Sequence, residues 1–179
     1  GPLMFTGNNL DVAVNGKGWL AVQLPDGSEA YTRAGSLEVE VTGLLQTKSG
    51  YPMVGDGGPI SVPPDNRVEI APDGTVSVIP KFGTPNNASA IGRIKLVNPP
   101  EATLVRGSDG LFRVNNGQPA ARDDGVKLTS GTLEGSNVNV TDAMVNLISL
   151  SRQFEMQIKL LQTADTNAQR ADQLLSLNA

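Results

Sequence analysis

The chain has 179 residues with 39% hydrophobic content, which suits one domain, or one domain with an extension, around an ordinary core. Fourteen basic and 18 acidic residues leave a net charge of −4 with no basic block. That argues against nucleic acid, whose phosphates need clustered Lys and Arg. With no Cys and no His, disulfides, thiolate chemistry, and the commonest general base and metal ligand are all missing.

Gly1-Pro2-Leu3-Met4 has the form of a protease-cleavage scar left by expression, so residues 1–4 are set apart and the native N-terminus is expected to lie elsewhere. The body is expected over residues 5–135, as short strands between turn signals. Leu10 to Val14 alternates and stops at Asn15-Gly16. Trp19 to Leu24 leads through Pro25-Asp26-Gly27-Ser28 into Glu29 to Arg33, a hairpin pattern. Leu37 to Thr42 and Leu44 to Thr47 are split by Gly43, and Tyr51 to Val54 and Pro59 to Val62 flank Gly55-Asp56-Gly57-Gly58. Arg67 to Ile70 and Thr75 to Ile79 are joined by Pro72-Asp73-Gly74, and Lys81 to Ser89 reads as a polar loop. Ile91 to Val97, Leu111 to Val114 and Val126 to Leu133 complete the series. The fold class is therefore mainly β: a compact antiparallel domain of short strands and hairpins, followed by one long C-terminal helix. Trp19, Leu20, Val22, Tyr31, Leu37, Ile70, Val76, Ile94 and Leu96 are its expected core, as inward members of alternating strands.

Candidate chemistry is sparse. Gly16-Lys17-Gly18 and Gly55-Asp56-Gly57-Gly58 resemble fragments of phosphate loops, but neither reaches a Lys-Ser/Thr pair or opens a helix, so both read as turns. Asp123-Asp124-Gly125 lacks the ligand series of a calcium loop. Asn87-Ala88-Ser89 and Asn139-Val140-Thr141 match a glycosylation pattern that is common by chance. Ser36, Ser61 and Ser77 have no His to activate them. Trp19, Tyr31 and Tyr51 could stack a sugar but read as core. No catalytic, cofactor or metal residue is assigned, and the chain is not read as an enzyme.

Residues 136–179 read as an assembly helix. From Ser136 to Leu177 there is no Gly or Pro, in a chain with 20 Gly and 12 Pro. Asn139 is the expected N-cap, with Asp142 beside the free amides of the first turn. Leu147, Phe154, Leu161, Ala168 and Leu175 recur every seven residues, flanked by Met144 and Ile158 on one side and by Leu150, Ala164 and Ala171 on the other. These spacings share one stripe. Glu155 and Lys159 are placed for an i,i+4 pair. About 37 residues at ~1.5 Å each give roughly 55 Å, longer than the roughly 35 to 40 Å expected of a ~130-residue body. The stripe is expected to be covered by another helix, from a missing segment or another copy. The alternative is a helix folded along its own domain, with a frayed polar end from about Asp165.

Four segments also carry a family resemblance. Leu10 to Val22, with Asn15-Gly16-Lys17-Gly18-Trp19 at its centre, is similar to the opening of the β domain in bacterial flagellar rod and hook proteins. Tyr31-Thr32-Arg33-Ala34-Gly35 resembles their Tyr-Thr-Arg-x-Gly element, and Gly50-Tyr51-Pro52-Met53-Val54 their next turn and strand. Leu133-Glu134-Gly135-Ser136-Asn137-Val138-Asn139 resembles the signature before their C-terminal helix. Phe154 to Gln157 and Asn167 to Leu175 look most like the proximal rod member. The resemblance implies a structural subunit of the basal-body rod: a helically assembled tube that transmits torque and encloses the export channel. It implies as partners further copies and other rod proteins, including the distal rod. Nucleic acid is already disfavoured by charge, and no membrane insertion is expected because no stretch approaches the ~20 apolar residues needed to span a bilayer. The resemblance also implies a periplasm-spanning location, and delivery by the flagellar export apparatus without a cleaved signal peptide. A missing N-terminal helix is implied as the partner of the C-terminal one. The rival reading is a β-domain interaction module on a helical stalk, as in a phage tail or an adhesin.

Overall fold

The computed structural model describes residues 1–82, 87–137 and 140–177, with helix side chains described from Asp142 to Arg170. Two compact units result, Gly1–Gly135 and Ser136–Ala179. The first holds sixteen strands among its described residues: β1 (Leu3–Phe5), β2 (Val12–Asn15), β3 (Trp19–Gln23), β4 (Glu29–Thr32), β5 (Leu37–Val39), β6 (Leu45–Thr47), β7 (Val54–Gly55), β8 (Gly58–Pro59), β9 (Asn66–Ile70), β10 (Thr75–Pro80), β11 (Ser89–Arg93), β12 (Leu96–Val97), β13 (Leu104–Arg106), β14 (Phe112–Val114), β15 (Lys127–Ser130) and β16 (Thr132–Glu134). The second is one helix, α1 (Val140–Leu177).

A five-stranded sheet, β12-β3-β4-β14-β13, forms the middle of the body. Its β3–β4 hairpin pairs Leu20 with Thr32 and Gln23 with Glu29. The turn closes because the Asp26 carboxylate accepts bonds from the Ser28 hydroxyl and amide, which also hold Asp26 below the usual carboxylate range. β3 is covered on both faces. Leu20 and Val22 enter the main core with Val12, Val14, Leu37, Leu45, Met53, Ile70, Val76, Ile94 and Leu96. Ala21 turns the other way, into a smaller cluster with Tyr31 and Val97, against which Trp19, Leu104, Phe112 and Val114 pack. Side chains alternate along a strand, so one strand feeds two cores. Each large aliphatic side chain fully withdrawn from water contributes about 1.5 to 3 kcal/mol.

A second sheet, β11-β10-β9, closes the main core from another side. Its β9–β10 turn is held by Asp73, which accepts the Thr75 amide and hydroxyl. The pairs β15-β2, β1-β16, β5-β6 and β7-β8 complete the body. Of the expected core, Leu20, Val22, Tyr31, Leu37, Ile70, Val76, Ile94 and Leu96 are buried. Trp19 is only partly buried, tilted against Phe112 with ring centres 4.4 Å apart.

Tertiary pairing redraws several boundaries. Ile91 to Val97 is two strands, because β11 pairs with β10 whereas β12 pairs with β3 in the other sheet. Val126 to Leu133 also divides, into β15 and β16. The break is Gly131, whose positive φ of 71° lets its amide reach the Asp11 carbonyl and its carbonyl accept Thr6. Two strands carry no alternation of their own. β13 is paired by β14, and β1, which takes in Leu3 and Met4, by β16.

Candidate assembly surface

Arg33 follows directly on β4, where the buried Tyr31 and Thr32 fix its backbone. The Tyr31 hydroxyl accepts the Ala120 amide at 2.6 Å, and the Thr32 hydroxyl accepts the Ala34 amide at 3.0 Å. The Arg33 fork then spans three parts of the chain. Its Nε donates to Glu134 Oε2 at 2.6 Å, Nη1 to the Gly16 and Gly18 carbonyls at 3.0 and 2.9 Å, and Nη2 to the Val14 carbonyl at 3.4 Å. The guanidinium also lies 5.9 Å from the centre of the Trp19 ring. Burial alone would raise the Glu134 carboxyl, but the Gly1 amino group and Arg33 outweigh it and hold Glu134 below its ordinary value. One guanidinium thus joins the Asn15 to Trp19 segment, the Tyr31 to Gly35 segment and the strand that runs into Gly135.

Gly35 is needed for a different reason. A Cβ there would overlap the Val12 carbonyl oxygen, and this close approach lets the Val12 amide reach the Gly35 carbonyl at 2.9 Å. Beside it the buried Asp11 accepts the Ser36 hydroxyl at 3.1 Å. Asp11 and Glu134 were not singled out as site residues. Both lie inside family-like segments, but their partners are 25 and 101 residues away, so no local pattern shows what they bind. Gly135 is partly buried and donates to the Pro2 carbonyl; Ser136 and Asn137 are exposed, and Asn139 lies outside the described residues.

The helix is continuous over 38 residues, with Asp142 in its first turn. Its backbone is helical through Asp165 to Leu177, where fraying of an uncovered end is to be expected. Met144, Leu147, Leu150, Phe154, Ile158 and Leu161 are 40 to 72% exposed. Ala164 and Ala168 are exposed as well, while the side chains of Ala171 and Leu175 lie outside the described set. Two expectations need correction. Glu155 and Lys159 form no ion pair; each is exposed, where water competes with such contacts. The apolar surface is also wider than one stripe. Val145, Ile148, Met156 and Leu160 are 55 to 70% exposed. At about 100° per residue they fall roughly 100 to 180° around the helix from Leu147. A helix apolar on opposing faces is suited to burial on more than one side.

The other sequence candidates have structural roles. Gly16 and Gly18 carry positive φ in a tight turn, and Asp56-Gly57 is the turn of the β7–β8 hairpin. Asp124 pairs with Arg93 and Arg122, and Asp123 closes its own turn by accepting the Gly125 amide. Among the described residues no group of three or more His, Cys, Asp or Glu is placed to hold a metal. No described helix is long and apolar enough to cross a membrane.

A β body whose motif-bearing segments meet at one arginine, followed by a helix with exposed apolar side chains, has the features of a structural subunit. The family model described as the flagellar hook protein FlgE/F/G D1 domain matches residues 13–78, and that of the flagellar basal body rod FlgEFG protein C-terminal matches residues 129–174. The chain is 45% identical to the flagellar basal-body rod protein FlgF of Escherichia coli K12 over 184 residues, covering 99% of this chain and 73% of that protein. The Salmonella typhimurium LT2 FlgF is 44% identical with the same coverage. FlgG of Buchnera aphidicola (Schizaphis graminum) is 36% identical over 97% of this chain and 68% of its own length. The chain belongs to the flagellar basal-body rod proteins, and within them it is FlgF-like.

Proposed function

We propose that the chain works as a non-catalytic building block of the rod, in which helices of neighbouring subunits pack along α1 and the β bodies form the surrounding wall. The observation that carries this reading is the row Leu147, Phe154 and Leu161, each 65 to 72% exposed on a single long helix. Soluble monomers rarely leave so long an apolar strip in water, and each such residue contributes about 1.5 to 3 kcal/mol when covered. In this reading the partners are further copies and other rod and hook components, the distal rod among them. A tube of such subunits crosses the periplasm, transmits torque and leaves a channel for export. Resistance to torque comes from many repeated buried contacts, each modest alone. The subunit itself reaches the rod through the flagellar export apparatus. A phage-tail or adhesin module finds no support in the relatives.

The test is Phe154→Asp, made in the native gene and in the purified chain. Expected are cells that export the protein but do not swim, and a purified variant that keeps its β circular dichroism yet sediments as a lighter species than wild type across a concentration series. A swimming variant, with unchanged sedimentation, would show that this face of the helix carries no assembly contact.

A further inference from the structure

The β body has an open cleft of its own, of about 710 Å³, between the edges of two sheets. On β9, the bonds from the Lys81 amide to the Asp65 carbonyl and from the Ala71 amide to the Thr75 carbonyl set the phase of the ladder with β10. Asn66, Val68 and Ile70 therefore turn their backbone groups away from β10, on a side where β9 has no neighbouring strand among the described residues, although Val68 and Ile70 are themselves buried. On β5, the bonds Lys48 amide to Ser36 carbonyl and Glu40 amide to Leu44 carbonyl leave Val39 in the same situation. Val39 and Val68 both line the cleft, together with Leu10, Pro80, Arg67 and Lys81. Neither Arg67 nor Lys81 has an ion-pair partner among the described residues. Two cations without ion-pair partners among the described residues, beside an apolar wall, together fit a compact acidic–apolar tip.

The chain presents such a tip nearby. The turn after β5 carries Glu40, whose carboxylate accepts the Thr42 hydroxyl and has no ion-pair partner among the described residues, and Val41, which is fully exposed. This tip is braced by local contacts: the Gly43 amide returns to the Glu40 carbonyl, and Gly43, at φ 89°, packs so close to the Val62 carbonyl that a Cβ would lie 2.8 Å from it. A preordered tip loses little freedom on docking. Val41 is bare in its own copy, so the cleft of that copy does not hold it. We propose that the cleft receives the Glu40–Val41 tip of a second copy of this chain, with Glu40 meeting Arg67 and Lys81, and Val41 meeting the apolar wall. The contact joins the tip of one copy to the cleft of another. It deepens the reading of the chain as a rod subunit, and adds a body-to-body contact to the helix seam.

Because the chain lacks Cys, introduced thiols report the contact without background. The experiment uses the full chain carrying Phe154→Asp, so that helix pairing is not the source of any association. One copy bears Val41→Cys and the other Asn66→Cys, in the cleft wall. This mixture should form disulfide-linked dimers about tenfold faster than a Val41→Cys and Asn116→Cys mixture, through the local concentration that docking supplies. Adding Lys81→Glu and Arg67→Glu to the cleft copy should remove the advantage, and adding Glu40→Lys to the tip copy should restore it. Equal rates in the two mixtures, or an advantage indifferent to charge reversal, overturns the inference. The rod reading fails separately, on the swimming and sedimentation of Phe154→Asp alone.

Discussion

Gly35 and Gly16 separate two reasons for glycine. At Gly16 the φ is +70° and the space beside it is open, so Gly16→Ala carries only the left-handed backbone penalty, about 1 to 2 kcal/mol. At Gly35 a methyl group would overlap the Val12 carbonyl, and Gly35→Ala is expected to cost about 3 kcal/mol through displaced backbone. Urea midpoints of the two variants against wild type check the ranking. Arg33→Lys keeps the charge and loses the fork that reaches Glu134 and three carbonyls, so a loss of about 2 kcal/mol is expected in the same measurement. Tyr31 gives the body an alkaline limit. Burial pushes its phenol up to about 12, whereas the unfolded phenol ionises near about 10. The folded pKa is the higher one, so this stability is complete below about pH 10 and is lost as pH rises towards about 12. Unfolding across that window should steepen with pH in wild type and lose that component in Tyr31→Phe.

At the scale of elements, the helix shows why a sevenfold stripe understates an assembly surface. Counting positions seven apart finds Leu147, Phe154 and Leu161 but passes over Ile148, Met156 and Leu160, which are also more than half exposed and lie on other faces. If α1 packs against neighbours on two sides, Leu160→Asp should reduce swimming and sedimenting mass as Phe154→Asp does, although the two positions are about 120° apart on the helix. A Leu160→Asp chain that assembles normally would confine the contact to one seam. Two threonines in the polar half, Thr163 and Thr166, return their hydroxyls to the carbonyls of Lys159 and Gln162, which lets polar residues sit within a helix without demanding partners of their own.

For the whole molecule, the division at Gly135 has an energetic meaning. Among the described residues the main core and its smaller companion draw every member from the β body, so the body is expected to fold without α1. A chain ending at Gly135 should keep the β circular dichroism and unfold cooperatively within a few degrees of the longer chain. The isolated residues 136–179 should be mostly unfolded in dilute solution, because helix formation has a costly nucleus and tertiary packing supplies most helical stability in proteins. A residues 1–135 fragment that melts without a cooperative transition would contradict this.

The sequence alone determined what depends on local order. It showed where the Gly- and Asp-rich turns lie, that Leu20, Val22, Tyr31 and Ile94 face inward, and that the last helix begins near Val140. Turn chemistry and period-two alternation are properties of a few neighbouring residues, so they survive without the fold. Tertiary structure decided which strands pair. It divided Ile91 to Val97 between two sheets, made Leu3 to Phe5 and Leu104 to Arg106 strands by supplying partners, and brought Arg33 to Glu134 across 101 positions. It brought Val39 of one sheet and Val68 of another to a common cleft. A strand's edge and an arginine's reach are settled by neighbours in space, and those neighbours are distant in the chain.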